Sequence, residues 1–320
     1  MRIAALDIGT NTALLLIVEA DGKSFRVLRD DHAIARLGEA VDRDRVIIEA
    51  AYLRLRDVLL RHVETIKSLN VDSVAAVGTS VFRDAKNRDE IVHRAKSDTG
   101  IGIEILSGED ETRWGCQGAI FGMSDVQNAA VIDIGGGSTE ISFVKNGDSA
   151  CGESIDIGAV RLTERCFSKR SITTENVEEA RRIIRENLNR ISGSSNIFKS
   201  LKNVSSLVAV AGTPTTLAAM HLGLDVFDAA KVQNHILQKD DIDDLLEMLL
   251  KTDTATLLQN FPAVNKARAD ILPAGTLILS EAMKYLGSDE IRVSTRGLRY
   301  GIALREIQRL TDVSDITHLE

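Results

Sequence analysis

The sequence predicts an α/β protein made of two similar domains with mixed sheets flanked by helices. Three observations carry this. Short apolar runs of strand length alternate with longer segments of helical periodicity. A motif near the start, Ala4-Ala5-Leu6-Asp7-Ile8-Gly9-Thr10-Asn11-Thr12, returns as Ala130-Val131-Ile132-Asp133-Ile134-Gly135-Gly136-Gly137-Ser138-Thr139, with Asp7 and Asp133 126 positions apart. The 320 residues make room for two domains of about 150 residues each.

The elements follow in order. Ile3 to Leu6 reads as a buried strand, then comes the turn Asp7 to Thr12, a second strand from Ala13 to Glu19, and a hairpin signal at Asp21-Gly22. Ile48, Ala51, Leu55, Val58, Leu59, His62, Val63, Ile66 and Leu69 recur at helical spacing. Val71 to Val77 is a strand, Asn87 to Ser97 a helix and Gly102 to Leu106 a strand. Ser107 with Asp110 three residues on is a helix-start pattern, for a helix running to about Phe121. The pattern breaks between Gly122 and Gln127, so the domains are set at 1–123 and 124–320. The second half repeats strand, Asp-x-Gly turn and strand (Glu140 to Lys145), and Asn146-Gly147 makes a hairpin turn. A helix from Thr174 to Ile191, a loop from Ser192 to Ser195 and a strand from Ser206 to Ala211 come next. Gly212-Thr213-Pro214 opens a helix with Pro in its first turn. Asp240 is expected to cap a helix ending near Lys251; Pro273 to Leu286 is helical, and Glu290 to Val293 is a strand. The final helix, about 298–310, belongs by chain order to the second domain, with a return onto the first allowed for.

Composition excludes several functions. Aromatics are 4% with a single Trp, which argues against a base-stacking surface, and a net charge of −8 argues against a general duplex-binding face, so no nucleic-acid partner is expected. Three widely spaced cysteines with no C-x-x-C suggest neither a zinc site nor a disulfide framework and suit a reducing cytoplasm. The apolar run Ala13 to Val18 is too short to span a membrane, so a cytoplasmic protein with no membrane association is expected.

The chemistry starts at the two Asp-x-Gly turns. A carboxylate ending a buried strand is costly unless it meets a cation or donors. Neighbouring glycines let backbone N–H groups approach an anion. Gly135, Gly136, Gly137, Ser138 and Thr139 therefore read as a phosphate cradle, with Asp7 and Asp133 holding Mg²⁺ directly or through water. A pair of Asp-capped hairpin turns is the simpler alternative, but a turn needs no matching partner a domain away. Glu140 is either a solvated strand acid or a metal or water contact beside that loop. Glu111, in a first helical turn, is either a dipole partner or the group that orients and deprotonates a water. Arg83 and Lys86 are either a solvated run or contacts to a polyanion. Gly212 and Thr213 either bind phosphate or only open their helix. Arg161, Arg268, Arg296 and Arg299 are the candidates for the local positive lining that an anionic substrate needs in a chain of this net charge. The six histidines are scattered, with no nucleophile arrangement.

Taken together the motifs resemble the Ppx/GppA phosphatase family, exopolyphosphatases and guanosine pentaphosphate phosphohydrolases of the actin, Hsp70 and sugar kinase superfold. The likeness rests on Asp7–Thr12, Thr79 with Arg83–Asn87, Ser107–Glu111, Asp133–Glu140, Gly158–Thr163, Gly212–Leu217 and Ser294–Arg299, in the family order over nearly the whole chain. It implies two ribonuclease-H-like domains with the active site in the cleft between them, and a Mg²⁺-dependent hydrolase of terminal phosphoanhydride bonds. It maps catalytic roles onto Glu111 and Glu140 and metal binding onto Asp7, Asp133 and Glu140. Phosphate and substrate contacts fall to Thr10, Asn11, Arg83, Gly135, Gly136, Gly137, Ser138, Thr139, Gly212, Thr213, Arg268 and Arg299. A homodimer is typical of such proteins. Two departures are mild: Asp110-Glu111 stands where two Glu are common, and Thr10 and Thr12 stand where Ser is common. Long members carry an extra C-terminal helical region, and this chain stops at Glu320, which favours short inorganic polyphosphate or a nucleotide. Exopolyphosphatase is the leading expectation and guanosine pentaphosphate phosphohydrolase the alternative. A phosphotransferase of the same superfold and a sensor that binds without turnover are further ones.

Overall fold

The computed structural model describes residues 1–21, 24–167, 172–191, 206–311 and 318–319. Gly22 of the expected first hairpin turn and the expected loop Ser192 to Ser195 lie outside the described residues. The first elements are β1 (Arg2–Ile8), β2 (Thr12–Asp21), β3 (Ser24–Ile34), α1 (Val41–Asp44), α2 (Glu49–Ser68), β4 (Ser73–Gly78), α3 (Ser80–Asp84), α4 (Arg88–Thr99), β5 (Ile103–Ile105) and α5 (Gly108–Ile120). Next come β6 (Asn128–Ile134), β7 (Thr139–Lys145), β8 (Asp148–Ile155), α6 (Ala159–Cys166), α7 (Thr174–Ile191), β9 (Ser206–Val210), α8 (Gly212–His221) and α9 (Ala229–Val232). The last are β10 (Ile236–Gln238), α10 (Lys239–Lys251), α11 (Thr254–Asn260), α12 (Leu272–Leu286), β11 (Glu290–Ser294), α13 (Leu298–Thr311) and β12 (His318–Leu319). They form two units, Met1–Ser124 with Gly297–Glu320, and Asp125–Arg296. The final helix α13 thus lies in the first unit.

The sheet of the first unit has the order β12-β3-β2-β1-β4-β5, and that of the second β10-β11-β9-β6-β7-β8. In the first, β1, β2 and β3 form an antiparallel meander and β4 and β5 continue parallel to β1. In the second, β6, β7 and β8 repeat the meander and β9 and β11 repeat the parallel extension. The sequence echo is therefore an echo of topology. The third meander strands, β3 and β8, escape a hydropathy reading because they are polar; β3 carries Arg26, Arg29, Asp30, Asp31 and His32 on a half-exposed strand. Asp240 does not cap its helix. Gln238 does, in a capping box with Asp241, and Asp240 falls in the first turn.

β1 and β2 read as unbroken apolar runs because both of their faces are covered. Ala4, Leu6, Ile8, Leu15 and Ile17 join the core with α2, whose Tyr52, Leu55 and Leu59 are fully buried at helical spacing. Ile3, Ala5, Leu16 and Val18 face the other way, into a core with Leu298, Ile302, Ala303 and Ile307 of α13. Strand alternation puts Asp7 on this second face. In the second unit Ala130, Ile132 and Ile134 of β6 and Ile141 and Phe143 of β7 enter one core. Asp133 and Glu140, one step out of phase, lie on the opposite face.

Two glycine contacts set α13 against α5. A Cβ on Gly118 would lie 2.1 Å from the Gly297 carbonyl oxygen, and one on Gly301 would lie 1.9 Å from the Trp114 carbonyl oxygen. Both neighbours are backbone, so neither can yield cheaply. Gly301→Ala is expected to destabilise the first unit by about 2–3 kcal/mol through overpacking. The check is urea unfolding followed at Trp114, which touches the crossing.

Candidate active site

The turn between β6 and β7 is closed by the Gly135 amide donating to the Ser138 carbonyl at 3.0 Å. Its carbonyls are taken from α6. The Ala159 amide donates to Gly135 O at 2.9 Å, and those of Val160 and Arg161 donate to Gly136 O at 2.8 and 3.1 Å. The Arg161 guanidinium Nε donates to Gly137 O at 2.7 Å. Gly158, the N-cap of α6, makes this approach feasible: a Cβ there would lie 2.5 Å from the carbonyl carbon and oxygen of Gly136. With the carbonyls engaged by α6, the amides of Gly136, Gly137 and Ser138 have no partner among the described residues. Consecutive unpaired N–H groups form an anion cradle. Thr139 does not join it. The residue is fully buried, and its hydroxyl donates to the Ile157 carbonyl at 2.7 Å. Strand alternation puts it on the face opposite Glu140.

Asp133 and Glu140 are direct cross-strand partners. Glu140 is 4% exposed and accepts a 2.6 Å hydrogen bond from Ser154 of β8, its register partner on the other side. The equivalent pair in the first unit is Asp7 with Leu14, so the second acid is present in one copy of the repeat and absent from the other.

The first-unit turn is built alike. The Gly9 amide donates to the Thr12 carbonyl at 2.8 Å; the Thr10 carbonyl accepts from Gly38 N, and the Asn11 carbonyl accepts from Ala35 N and Arg36 N. The Thr10 hydroxyl meets that of Ser80 at 3.1 Å. Asn11 is 6% exposed, and neither its side-chain oxygen nor its nitrogen has a partner among the described residues. A buried amide left unsatisfied is a mark of a missing ligand. Arg299 serves otherwise than expected. It forks onto Asp30 with two 2.8 Å bonds, so its guanidinium is bound within the protein rather than held out for phosphate. Burial works to raise the Asp30 carboxyl, yet His32 and Arg299 hold it below the usual carboxylate range. The Arg299 charge, already held by Asp30, also acts on Asp7.

Ser107 caps α5, accepting from the Asp110 amide at 3.0 Å. One turn in, Glu111 accepts from Arg83 Nη1 at 2.5 Å, and the same Nη1 lies 3.2 Å from the Leu106 carbonyl. Burial pushes the Glu111 carboxyl up, against the pull of the Arg83 charge.

In the second unit Gly212 and Thr213 open α8 without a side-chain cap, after Ala211 at φ +80°. Pro214 has no N–H to offer. Thr213 is buried against Gly275, where a Cβ would lie 2.2 Å from its hydroxyl. The Arg268 guanidinium lies over Gly212, within 0.8 Å of where a Cβ would stand. It has no ion pair or hydrogen bond among the described residues, and burial pushes it down to about 10. The sequence placed Gly212, Thr213 and Arg268 in one set; the structure brings Arg268 against Gly212 and Thr213 against Gly275. It was silent on Ser154 and on what Gly158 does.

The model of the Ppx/GppA phosphatase family matches residues 16–310. The chain belongs to that family. Exopolyphosphatase 2 of Mycobacterium tuberculosis is 32% identical over 95% of this chain and 98% of its own length. A protein of Fusobacterium nucleatum named bifunctional 3-dehydroquinate synthase/phosphatase is 31% identical over 95% of this chain, which spans only 46% of that protein. The crystal structure of the Aquifex aeolicus Ppx/GppA family member superposes with a TM-score of 0.80 at 27% identity, covering 97% of this chain and 99% of that one. The fold is thus the actin-like ATPase fold, and family membership places the chain among hydrolases of phosphoanhydride bonds. No described helix is long and apolar enough to cross a membrane.

If the carbonyl engagement by α6 shapes the cradle, Gly158→Ala weakens tripolyphosphate binding by about tenfold or more, about 1.4 kcal/mol. Gly102→Ala, where a Cβ meets nothing within 4 Å, leaves it unchanged. Isothermal calorimetry on both variants checks this.

Proposed function

We propose that this protein is an exopolyphosphatase, hydrolysing the terminal phosphoanhydride bond of inorganic polyphosphate and releasing orthophosphate. The observation that carries the reading is the buried Glu111 carboxylate at the start of α5, raised by burial and so suited to accept a proton from water. The likeness to the M. tuberculosis exopolyphosphatase 2 over nearly the full length of both chains supports it. In this reading the Gly136, Gly137 and Ser138 amides bind the terminal phosphoryl oxygens and offset charge that grows there during attack. Glu111 orients the attacking water and takes its proton. Thr10 and Asn11 contribute further phosphate contacts, and Asn11 gains the partners it lacks. We propose a cytoplasmic homodimer as its working form.

The reading includes Mg²⁺. Among the described residues no three His, Cys, Asp or Glu side chains come together as a metal group. That fits an ion which keeps most of its shell as water and substrate phosphate and uses one or two carboxylates. Asp133 and Glu140, paired across β6 and β7, are the residues that would hold it. Asp7, on which the Arg299 charge also acts, is the third carboxylate proposed as a ligand. Bound Mg²⁺ would neutralise phosphate charge.

A second reading, hydrolysis of guanosine pentaphosphate, is favoured by one observation: Arg268, without an ion pair among the described residues, stands over Gly212, an additional anion contact.

Phosphate release with Mg²⁺ should be measured side by side on short polyphosphate, long polyphosphate and guanosine pentaphosphate. Faster release from polyphosphate is expected. Faster release from the pentaphosphate selects the second reading, and binding without release from any of the three leaves a sensor. Glu111→Gln is expected to cut turnover by about 10² or more with binding kept; near wild-type turnover would remove Glu111 as the base. Asp133→Asn should raise the Mg²⁺ concentration for half-maximal rate, and an unchanged titration would take Asp133 out of the site.

A further inference from the structure

Glu111 and Arg83 were expected to do separate jobs, one on water and one on substrate, yet the structure joins them. Arg83 Nη1 lies 2.5 Å from Glu111 Oε2, and no other side chain bonds that carboxylate among the described residues. Both charges sit low in the first unit, but unequally. The Arg83 side chain is 24% exposed and that of Glu111 12%, so the guanidinium side of the pair is the more open to solvent. No other charged group on the packed elements competes for Glu111. Of α13, Arg299 is bound to Asp30 and Glu306 to Arg309, while Arg305 is bound to Glu104 of β5. Asp84 of α3 pairs with Arg45. Asp110, the neighbour on α5, accepts from Ser107.

We infer that Arg83 is a latch on the base: it holds Glu111 in the substrate-free enzyme and transfers to the terminal phosphate of the substrate, freeing Glu111 only when the site is filled. The inference rests on Glu111 being the base proposed above. A guanidinium exchanges a carboxylate for a phosphate readily, since phosphate carries more charge and accepts the same two-pronged geometry. In the empty enzyme the pair spares Glu111 the cost of an unpaired buried charge. Once Arg83 has moved, burial acts on Glu111 unopposed, and its proton affinity rises when water must be deprotonated. Arg83 is then a substrate contact and a positioning residue at once, and the two roles alternate.

The test is the pH dependence of kcat/KM, which reports the free enzyme, against that of kcat, which reports the complex. In the wild type the acid limb of kcat is expected at higher pH than that of kcat/KM. In Arg83→Gln the kcat/KM limb moves up to meet the kcat limb, while the kcat limb stays where it was. Ionisation of the substrate is common to both enzymes and cancels in the comparison. Arg83→Lys, which keeps a charge, is expected to lie between and serves if the Gln variant does not fold. A kcat limb that moves as far as the kcat/KM limb would mean that Arg83 stays on Glu111 through turnover. An unmoved kcat/KM limb would mean that the pair does not govern the base; either result overturns the latch. Glu111→Gln separates the two ideas: if it retains turnover the base assignment fails, whereas if it is inactive and the limbs behave as just described only the latch is at fault.

Discussion

Both Asp-x-Gly turns depend on one constraint: their carbonyl oxygens must be accepted from behind. A peptide that binds an anion shows its N–H outward, which turns carbonyls inward, where an unmet oxygen is costly. The two units meet this demand with different structure. In the second, the N-terminal amides of α6 and the Arg161 guanidinium receive Gly135, Gly136 and Gly137. In the first, the backbone of Ala35, Arg36 and Gly38 receives Thr10 and Asn11. The helix end that would otherwise attract an anion is thereby consumed in shaping the loop, and the binding amides belong to the loop itself. Gly158 and Gly38 follow from this, since each lets a second stretch of backbone press against its turn. A Cβ on Gly38 would lie 2.1 Å from the Thr10 side chain.

Much of this was legible in the sequence where residue type alone decides the outcome. The Ser107 cap, the apolar strands β1 and β6 and the repeated turn are of that kind, because each is local. The rest was hidden where the answer depends on a distant partner. Thr139 looks like a loop hydroxyl in the motif, yet it is the first residue of β7 and its direction is set by pairing with Ile134. Arg299 looks like a surface cation for a polyanion, yet α13 returns to the first unit and delivers it to Asp30, on a strand that polarity had concealed. Chain order assigned that helix to the second half, with a return onto the first allowed for. Its core with β1 and β2, its bonds to Asp30 and its glycine contacts with α5 show where it packs.

Several of the buried charges obey a common rule. Glu281 is met by Arg181 and Arg185, Asp30 by Arg299, and Glu111 by Arg83. Each is the pairing that makes a buried ion tolerable. Among the described residues Arg268 has no such partner, and the uncharged Asn11 side-chain amide has no hydrogen bond. Asn11 lies on the first Asp-x-Gly motif, and Arg268 against Gly212. Unmet polar groups of this kind are what a protein shows when part of its hydrogen bonding belongs to a ligand.

The duplication also explains why the two halves are not interchangeable. The strand that carries Leu14 in one copy carries Glu140 in the other, at the same register opposite the Asp of the turn. Leu14 leaves Asp7 as the single carboxylate of its pair, on the face covered by α13, where the Arg299 charge also acts on it. Glu140 instead gives the second unit two facing carboxylates, steadied by Ser154. In the proposed function these two carboxylates hold the divalent ion, whose charge would offset their mutual repulsion. The buried acid of the first unit is instead Glu111, whose counter-ion is Arg83. In the proposed reaction the repeat therefore divides the work: the paired acids of the second unit are assigned to the phosphate charge, and Glu111 of the first to the proton.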